Sequence, residues 1–161
     1  MFAAEFVAAR PDMVKKLVLV APLGLWMNET PVTDMFVLLP SELPKYMIGD
    51  PENPALAGMF TPPANEDEMA QSIYLRLVNF SALGKFTWPI PDKGLKKRMH
   101  RITAPTLILW GDQDRLVPPA YGALFASKIA NSQLVTLPKV GHLLPLEATA
   151  EFEKEITAFL G

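Results

Sequence analysis

Along this chain the apolar positions change rhythm from segment to segment, and each rhythm predicts a different element. Phe2 to Ala9 is built from alanine and large apolar residues, good helix formers, and closes at Arg10-Pro11 because proline disfavours helical geometry in its predecessor. Leu17-Val18-Leu19-Val20-Ala21 is an uninterrupted apolar run between Lys15-Lys16 and Pro22, the pattern of a parallel strand covered on both faces rather than an alternating, half-solvated one. From Leu23 to about Arg98 the texture changes. Most of the 16 prolines are scattered here between short apolar patches such as Met35 to Leu39 and Leu43 to Ile48, which predicts a helical insertion rather than sheet. Within it, Met69, Ile73, Leu77 and Phe80 recur at helical spacing, and Asn65 stands where it caps a helix over Glu66 to Leu83 with Glu68 at the third position.

The last third is more regular. It predicts a strand at Thr106 to Trp110, a helix at Pro118 to Ile129, a strand at Gln133 to Leu137 and a helix at Leu146 to Leu160. That β-α-β-α order implies parallel strands joined by a right-handed crossover. Pro118 or Pro119, and Pro145, suit the first turns of the two helices, where a backbone N–H has no partner to lose. The fold class expected is α/β.

Composition narrows the function. The 161 residues are half hydrophobic, enough for one ordinary core with one or two subdomains, and the chain reads as a soluble globular protein. Net charge is −2, and the short basic cluster Lys96-Lys97-Arg98 with Arg101 lacks interleaved aromatics, which argues against nucleic acid as a partner. No apolar run approaches the ~18 residues that span a bilayer, so no membrane role is expected. Met1 to Arg10 lacks the basic start and cleavage site of a signal peptide, which makes the cytoplasm the expected location. The absence of cysteine removes disulfides, thiolate nucleophiles and Cys-ligated zinc, and with two histidines neither a metal centre nor a cofactor is expected.

The chemistry lies late in the chain, in Trp110-Gly111-Asp112-Gln113-Asp114-Arg115-Leu116-Val117-Pro118 and in Val140-Gly141-His142-Leu143-Leu144-Pro145, with Glu147 beyond. Together with Ala104-Pro105-Thr106-Leu107-Ile108-Leu109 before them, these segments resemble the C-terminal portion of an α/β-hydrolase-fold, esterase-like serine hydrolase, whose triad runs Ser, then Asp or Glu, then His. The resemblance covers essentially the whole chain. In complete members a Gly-x-Ser-x-Gly-Gly elbow leads into a small-residue helix ending in Arg-Pro or a similar pair and then a Leu-Val-Leu-Val strand, so Met1 stands just after the elbow. It implies a core of residues 1–22 and 99–161, a truncated half-sheet of about three parallel strands, and a helical cap over residues 23–98.

By the same resemblance Asp114 is the acid that orients an imidazole and His142 is the general base, since a hydroxyl is a weak nucleophile until a histidine takes its proton. Asp112 reads as turn chemistry. Taken alone, Asp114 also fits a turn residue whose carboxylate takes backbone N–H groups near Pro118, and His142 a satisfied loop histidine. His100 reads as part of a solvated turn, and Trp26, Trp88, Met27 and Met47 as packing or as the wall of an apolar pocket on the cap side. No Gly-x-Ser-x-Gly occurs, and Ser41, Ser72, Ser81, Ser127 and Ser132 lack the glycine framing of a strained elbow.

Two functions therefore stand side by side. One is a remnant that keeps the acid and base but not the nucleophile, has little or no hydrolase activity as an isolated chain, and binds an apolar ester or acyl ligand or nothing. The other is a working esterase-type hydrolase whose site is completed by dimerisation or by another chain. The strand Leu17 to Ala21 would be left with an open edge, and the expected remedy is a homodimer in which two copies of that edge pair antiparallel. Whether Met1 is a natural start stays open.

Overall fold

The computed structural model describes residues 1–56, 58, 59, 61–88 and 92–161. The chain opens with α1 (Phe2–Ala9), which Arg10 leaves in non-helical geometry ahead of Pro11, and enters β1 (Leu17–Val20). A stretch with α2 (Leu43–Met47), α3 (Glu66–Thr87) and short 3₁₀ turns follows. The chain then alternates through β2 (Thr106–Gly111), α4 (Ala120–Lys128) and β3 (Ser132–Leu137), and closes with α5 (Leu144–Glu147) and α6 (Thr149–Leu160). Among the described residues no helix is long and apolar enough to cross a membrane.

The strands form one parallel sheet in the order β1-β2-β3, with Val20 beside Leu109 and Gly111 beside Leu137. The order follows burial: all of the central β2 is buried, whereas β1, whose apolar run was expected to be covered on both faces, alternates buried Leu17 and Leu19 with half-buried Val18 and Val20, and β3 also contains half-buried residues. Trp110, Tyr121 and Phe125 pack α4 onto β2, and the Trp110 indole N–H donates to the Val117 carbonyl at 3.0 Å, so the large ring is buried without an orphan donor. Gly122 lets α4 come this close, because a Cβ there would stand 3.0 Å from the Trp110 ring. Tyr121 is buried too, and its hydroxyl accepts from the Met27 N–H at 3.0 Å; burial holds the phenol above its ordinary pKa. On α6, Phe152, Ile156 and Phe159 pack against the core, and the Lys16 ammonium donates to the carbonyls of Phe159 and Leu160 at the helix end, where a cation is favoured. A two-pronged Arg98 to Glu5 pair ties α1 to the segment before β2.

The expectations for three of the helices need adjusting. The helix capped by Asn65 runs to Thr87, past the predicted Leu83. Asn65 accepts from the Glu68 N–H at 2.9 Å, while the Glu68 carboxylate reaches back to the Ala64 N–H at 2.9 Å, one residue further than in a standard capping box. Of its four predicted apolar positions, Met69, Ile73 and Leu77 are 45%, 52% and 63% exposed, and only Phe80 is half-buried. The face that makes contact runs through Phe80 together with Arg76 and Gly84. The Arg76 guanidinium donates to the Leu38 carbonyl and lies over the Phe80 ring, Phe36 meets Phe80 edge-on, and a Cβ on Gly84 would touch Phe36.

The fourth helix begins at Ala120 rather than Pro118. The carbonyls of Pro118 and Pro119 accept from Tyr121 and Gly122, so the prolines form the entry turn. The predicted helix Leu146 to Leu160 is broken into α5 and α6 at Ala148, whose φ of −143° is not helical. There the Glu147 carbonyl is taken by the Asn53 side-chain amide at 2.7 Å, so a group from the preceding segment replaces the bond that would have continued the helix.

Candidate functional site

Strands β2 and β3 deliver the candidate acid and base to the carboxyl edge of the sheet, where open parallel sheets gather their sites. Two loops leave this edge, Asp112 to Val117 after β2 and Pro138 to Leu143 after β3, and they are knitted together. The Asp112 N–H donates to the Leu137 carbonyl at 3.0 Å and the Gln113 N–H to the Val140 carbonyl at 2.9 Å. In the other direction, the Asp112 carboxylate accepts from the Lys139 N–H at 2.7 Å, which supports Lys139 at a φ of +62°, and Asp112 is turn chemistry as its sequence position suggested.

Asp114 is fully buried at its side chain, and it uses its two oxygens differently. Oδ1 accepts from the backbone N–H groups of Leu116 and Val117 at 3.0 and 2.8 Å, and Oδ2 lies 2.8 Å from His142 Nδ1. One oxygen therefore serves the turn and the other meets the imidazole. The bonds to Oδ1 fix the carboxylate so that Oδ2 addresses the imidazole edge-on. The His142 side chain is 22% exposed, and its Nε2 has no hydrogen-bond partner among the described residues. A carboxylate facing Nδ1 favours the tautomer with hydrogen on Nδ1 and leaves the Nε2 lone pair free, the state a general base needs.

The rest of the predicted chemistry lies elsewhere. None of the serines hydrogen-bonds to His142; the hydroxyls of Ser127 and Ser132 donate to helix carbonyls. His100 is exposed in a 3₁₀ turn. Trp88 is 54% exposed with its ring edge-on to Phe36, whereas Trp26, Met27 and Met47 pack partly buried against the core. An open groove of about 450 Å³ along the start of α3, lined by Met69, Ala70 and Ile73 among others, shares no residue with the Asp114 and His142 loops.

Two features near His142 escaped the sequence reading. The segment Met47 to Gly49, at the end of α2, is bound to the loop that carries His142: the His142 N–H donates to the Met47 carbonyl at 2.7 Å. Arg115 is held from the same side, with its N–H on the Tyr46 carbonyl at 3.2 Å. Gly49, Gly141 and Gly111 make these contacts possible. A Cβ on Gly49 would stand 2.6 Å from the Gly141 nitrogen, one on Gly141 would overlap the Met47 carbonyl, and one on Gly111 would overlap the carbonyls of Val140 and Gly141. Gly49 and Gly111 need room rather than a left-handed φ, so no local turn signal marks them.

A parallel sheet with helices, and a carboxylate and an imidazole meeting on the loops after two neighbouring strands, define this as an α/β protein with its candidate site at the carboxyl edge of the sheet. The chain belongs to the alpha/beta hydrolase fold family, whose sequence pattern matches residues 60–149. It is 27% identical to a 2-hydroxy-6-oxononadienedioate/2-hydroxy-6-oxononatrienedioate hydrolase of Comamonas testosteroni, across 98% of this chain and 58% of that one. A second hydrolase with the same description, from Cupriavidus pinatubonensis, is 38% identical over 64 residues, 40% of this chain and 22% of its own. The chain thus spans less than two thirds of the length of these relatives. Among solved structures, a bacterial membrane phospholipase A superposes with a TM-score of 0.72 at 20% identity, over 98% of this chain and 52% of that one, a likeness of fold.

Proposed function

We propose that this chain carries the acid and base of a serine-hydrolase-type reaction on a carbonyl substrate, with Asp114 orienting and His142 as general base, and that as an isolated chain it has little or no hydrolase activity. The observation that carries the reading is the 2.8 Å contact of Nδ1 with a buried, doubly anchored carboxylate, which leaves Nε2 free. In such a step Nε2 takes the proton of an attacking hydroxyl as its oxygen bonds to the carbonyl carbon, then returns that proton to the leaving group. No serine of this chain is in hydrogen-bond contact with His142, so within the chain the available attacker is water. The substrate class is a small apolar ester or acyl compound. Relatives described as acting on an oxo-dienedioate and as a monoacylglycerol lipase agree in offering a carbonyl carbon.

The test is hydrolysis of a short activated ester assayed across a size-exclusion peak, for the unmodified chain and for His142→Ala, with fluorophosphonate labelling of both. The expected result is no covalent label, and turnover that is either absent or lost in His142→Ala. A label mapped to any residue of this chain, or turnover indifferent to His142, overturns the reading.

A second reading, in which the site is completed by a partner, is favoured by the outer edge of β1. Leu17 and Ala21 donate their N–H groups to Pro105 and Leu109 on the β2 side, so in a parallel ladder the N–H groups of Val18 and Val20 point the other way, and no strand among the described residues meets them. The occupant we propose is the same edge of a second copy, paired antiparallel about a two-fold axis, which satisfies both edges at once. Light scattering is expected to report a dimer, and Val18→Lys a monomer or insoluble protein. A soluble Val18→Lys dimer indistinguishable from the parent rules that interface out.

A further inference from the structure

Glu147 is a buried carboxylate that the reaction itself does not use. It is 8% exposed, yet among the described residues it forms no ion pair. Its charge is met entirely by backbone N–H groups: Oε2 accepts from Gly49 at 2.7 Å and from Gly141 at 2.9 Å, and Oε1 accepts from Leu143 at 3.0 Å. Charge-assisted bonds of this kind are the stronger ones, and a carboxylate left in such a place without them would be costly. Gly141 and Leu143 flank His142, while Gly49 belongs to the segment after α2. One side chain therefore grips the base loop on both sides of the base and fastens it to a distant segment. A main-chain bond repeats the clasp, since His142 N–H donates to the Met47 carbonyl at 2.7 Å, and the Asn53 side-chain amide adds to it by donating to the Glu147 carbonyl at 2.7 Å.

We infer that Glu147 is a positioning residue for His142, and that it works by clasping the Met47 to Gly49 segment onto the base loop, so that the imidazole's alignment with Asp114 depends on this segment staying docked. The inference rests on the assignment of Asp114 and His142 as acid and base. Its physical basis is leverage. Asp114 fixes one atom of the ring, Nδ1, but a single hydrogen bond leaves the ring free to pivot; the pivot is removed only if the backbone at Gly141, His142 and Leu143 is itself held. Those three N–H groups all go to the clasp, two to the Glu147 carboxylate and one to Met47. Gly49 makes the close approach possible, since a Cβ there would press on the backbone of Val140 and Gly141 at 2.6 Å.

The tautomer of His142 reads this directly. With His100→Gln as background, the chain has one histidine, and its ring nitrogens are followed by ¹⁵N NMR well below the melting temperature. In that background the hydrogen is expected on Nδ1; a histidine without this preference would count against the acid and base pair itself. Given the preference, Glu147→Gln, which leaves one oxygen for three N–H groups, is expected to shift the signals partway toward the tautomer mixture of free imidazole, and Glu147→Ala further. Gly49→Ala, which opens the clasp from the other side and leaves the carboxylate in place, is expected to shift them in the same direction. If Glu147→Ala does not fold, the Gln and Gly49→Ala proteins carry the test. Hydrogen exchange of the unmodified chain is also expected to show the amides of Gly49, Gly141, His142 and Leu143 opening together. Folded variants of lowered Tm whose His142 tautomer is unchanged, or independent exchange of these four amides, overturn the inference.

Discussion

Replacing Asp114 by alanine is expected to lower the free energy of unfolding by about 3 kcal/mol, because each buried N–H deprived of its acceptor costs roughly 1–3 kcal/mol. Two such groups, on Leu116 and Val117, lose Oδ1, and His142 loses its only hydrogen-bonded side-chain partner among the described residues. Asp114→Asn separates the structural task from the orienting one. The amide oxygen can still accept from Leu116 and Val117, so most of the stability should remain. The amide N–H₂, placed where Oδ2 was, donates toward Nδ1 and forces the ring hydrogen onto Nε2, where it blocks proton acceptance. In a serine-type triad the same exchange lowers turnover about 10⁴-fold. Chemical denaturation and the His142 ring ¹⁵N shifts check the two halves separately. An Asn variant as unstable as the Ala variant, or one that keeps hydrogen on Nδ1, contradicts this division of labour.

Gly111→Ala is expected to be destabilising near or above the upper end of the ~1–3 kcal/mol typical of overpacking. The usual escape is unavailable, because the atoms that the new Cβ would overlap are the carbonyls of Val140 and Gly141 rather than the tip of a flexible side chain. Either β2 or the base loop must move, and moving the loop breaks the bonds from Asp112 and Gln113 that hold it. A drop in Tm should therefore come with faster exchange of the His142 amide. Gly84→Ala is the control: its Cβ would meet Phe36 at an ordinary 3.7 Å, within a helix interior where alanine is the better residue by about 0.5–1 kcal/mol. A Gly111→Ala protein as stable as the parent would mean that the two loops are not packed as closely as described.

These two sites mark how far local pattern carries. Asp114 and His142 were singled out by the family that their segments resemble, and the strands predicted at Thr106 to Trp110 and Gln133 to Leu137 announce adjacent parallel strands. Chain order then places both loops on one edge. The helices α1 and α3 were legible for a similar reason, since Arg10-Pro11 and Asn65 with Glu68 act over a few residues. What was misread depended on partners far away in the chain. Of the helically spaced Met69, Ile73, Leu77 and Phe80, the first three face outward, because the contact that matters is between Phe36 and the Arg76, Phe80 and Gly84 face.

The sequence by itself determined the α/β class, the three strands and the capped helix, because propensity, periodicity and turn chemistry are properties of neighbouring residues, and its resemblance to a family singled out Asp114 and His142 as candidates. Only the tertiary structure decided which face of α3 is covered, why the last helix breaks at Ala148, and that Glu147 and Gly49 join a distant segment to the base loop. The physical reason is one of range: a buried carboxylate chooses among whatever N–H groups the fold brings within about 3 Å, and a glycine needed for space rather than for its φ leaves no mark on the residues beside it.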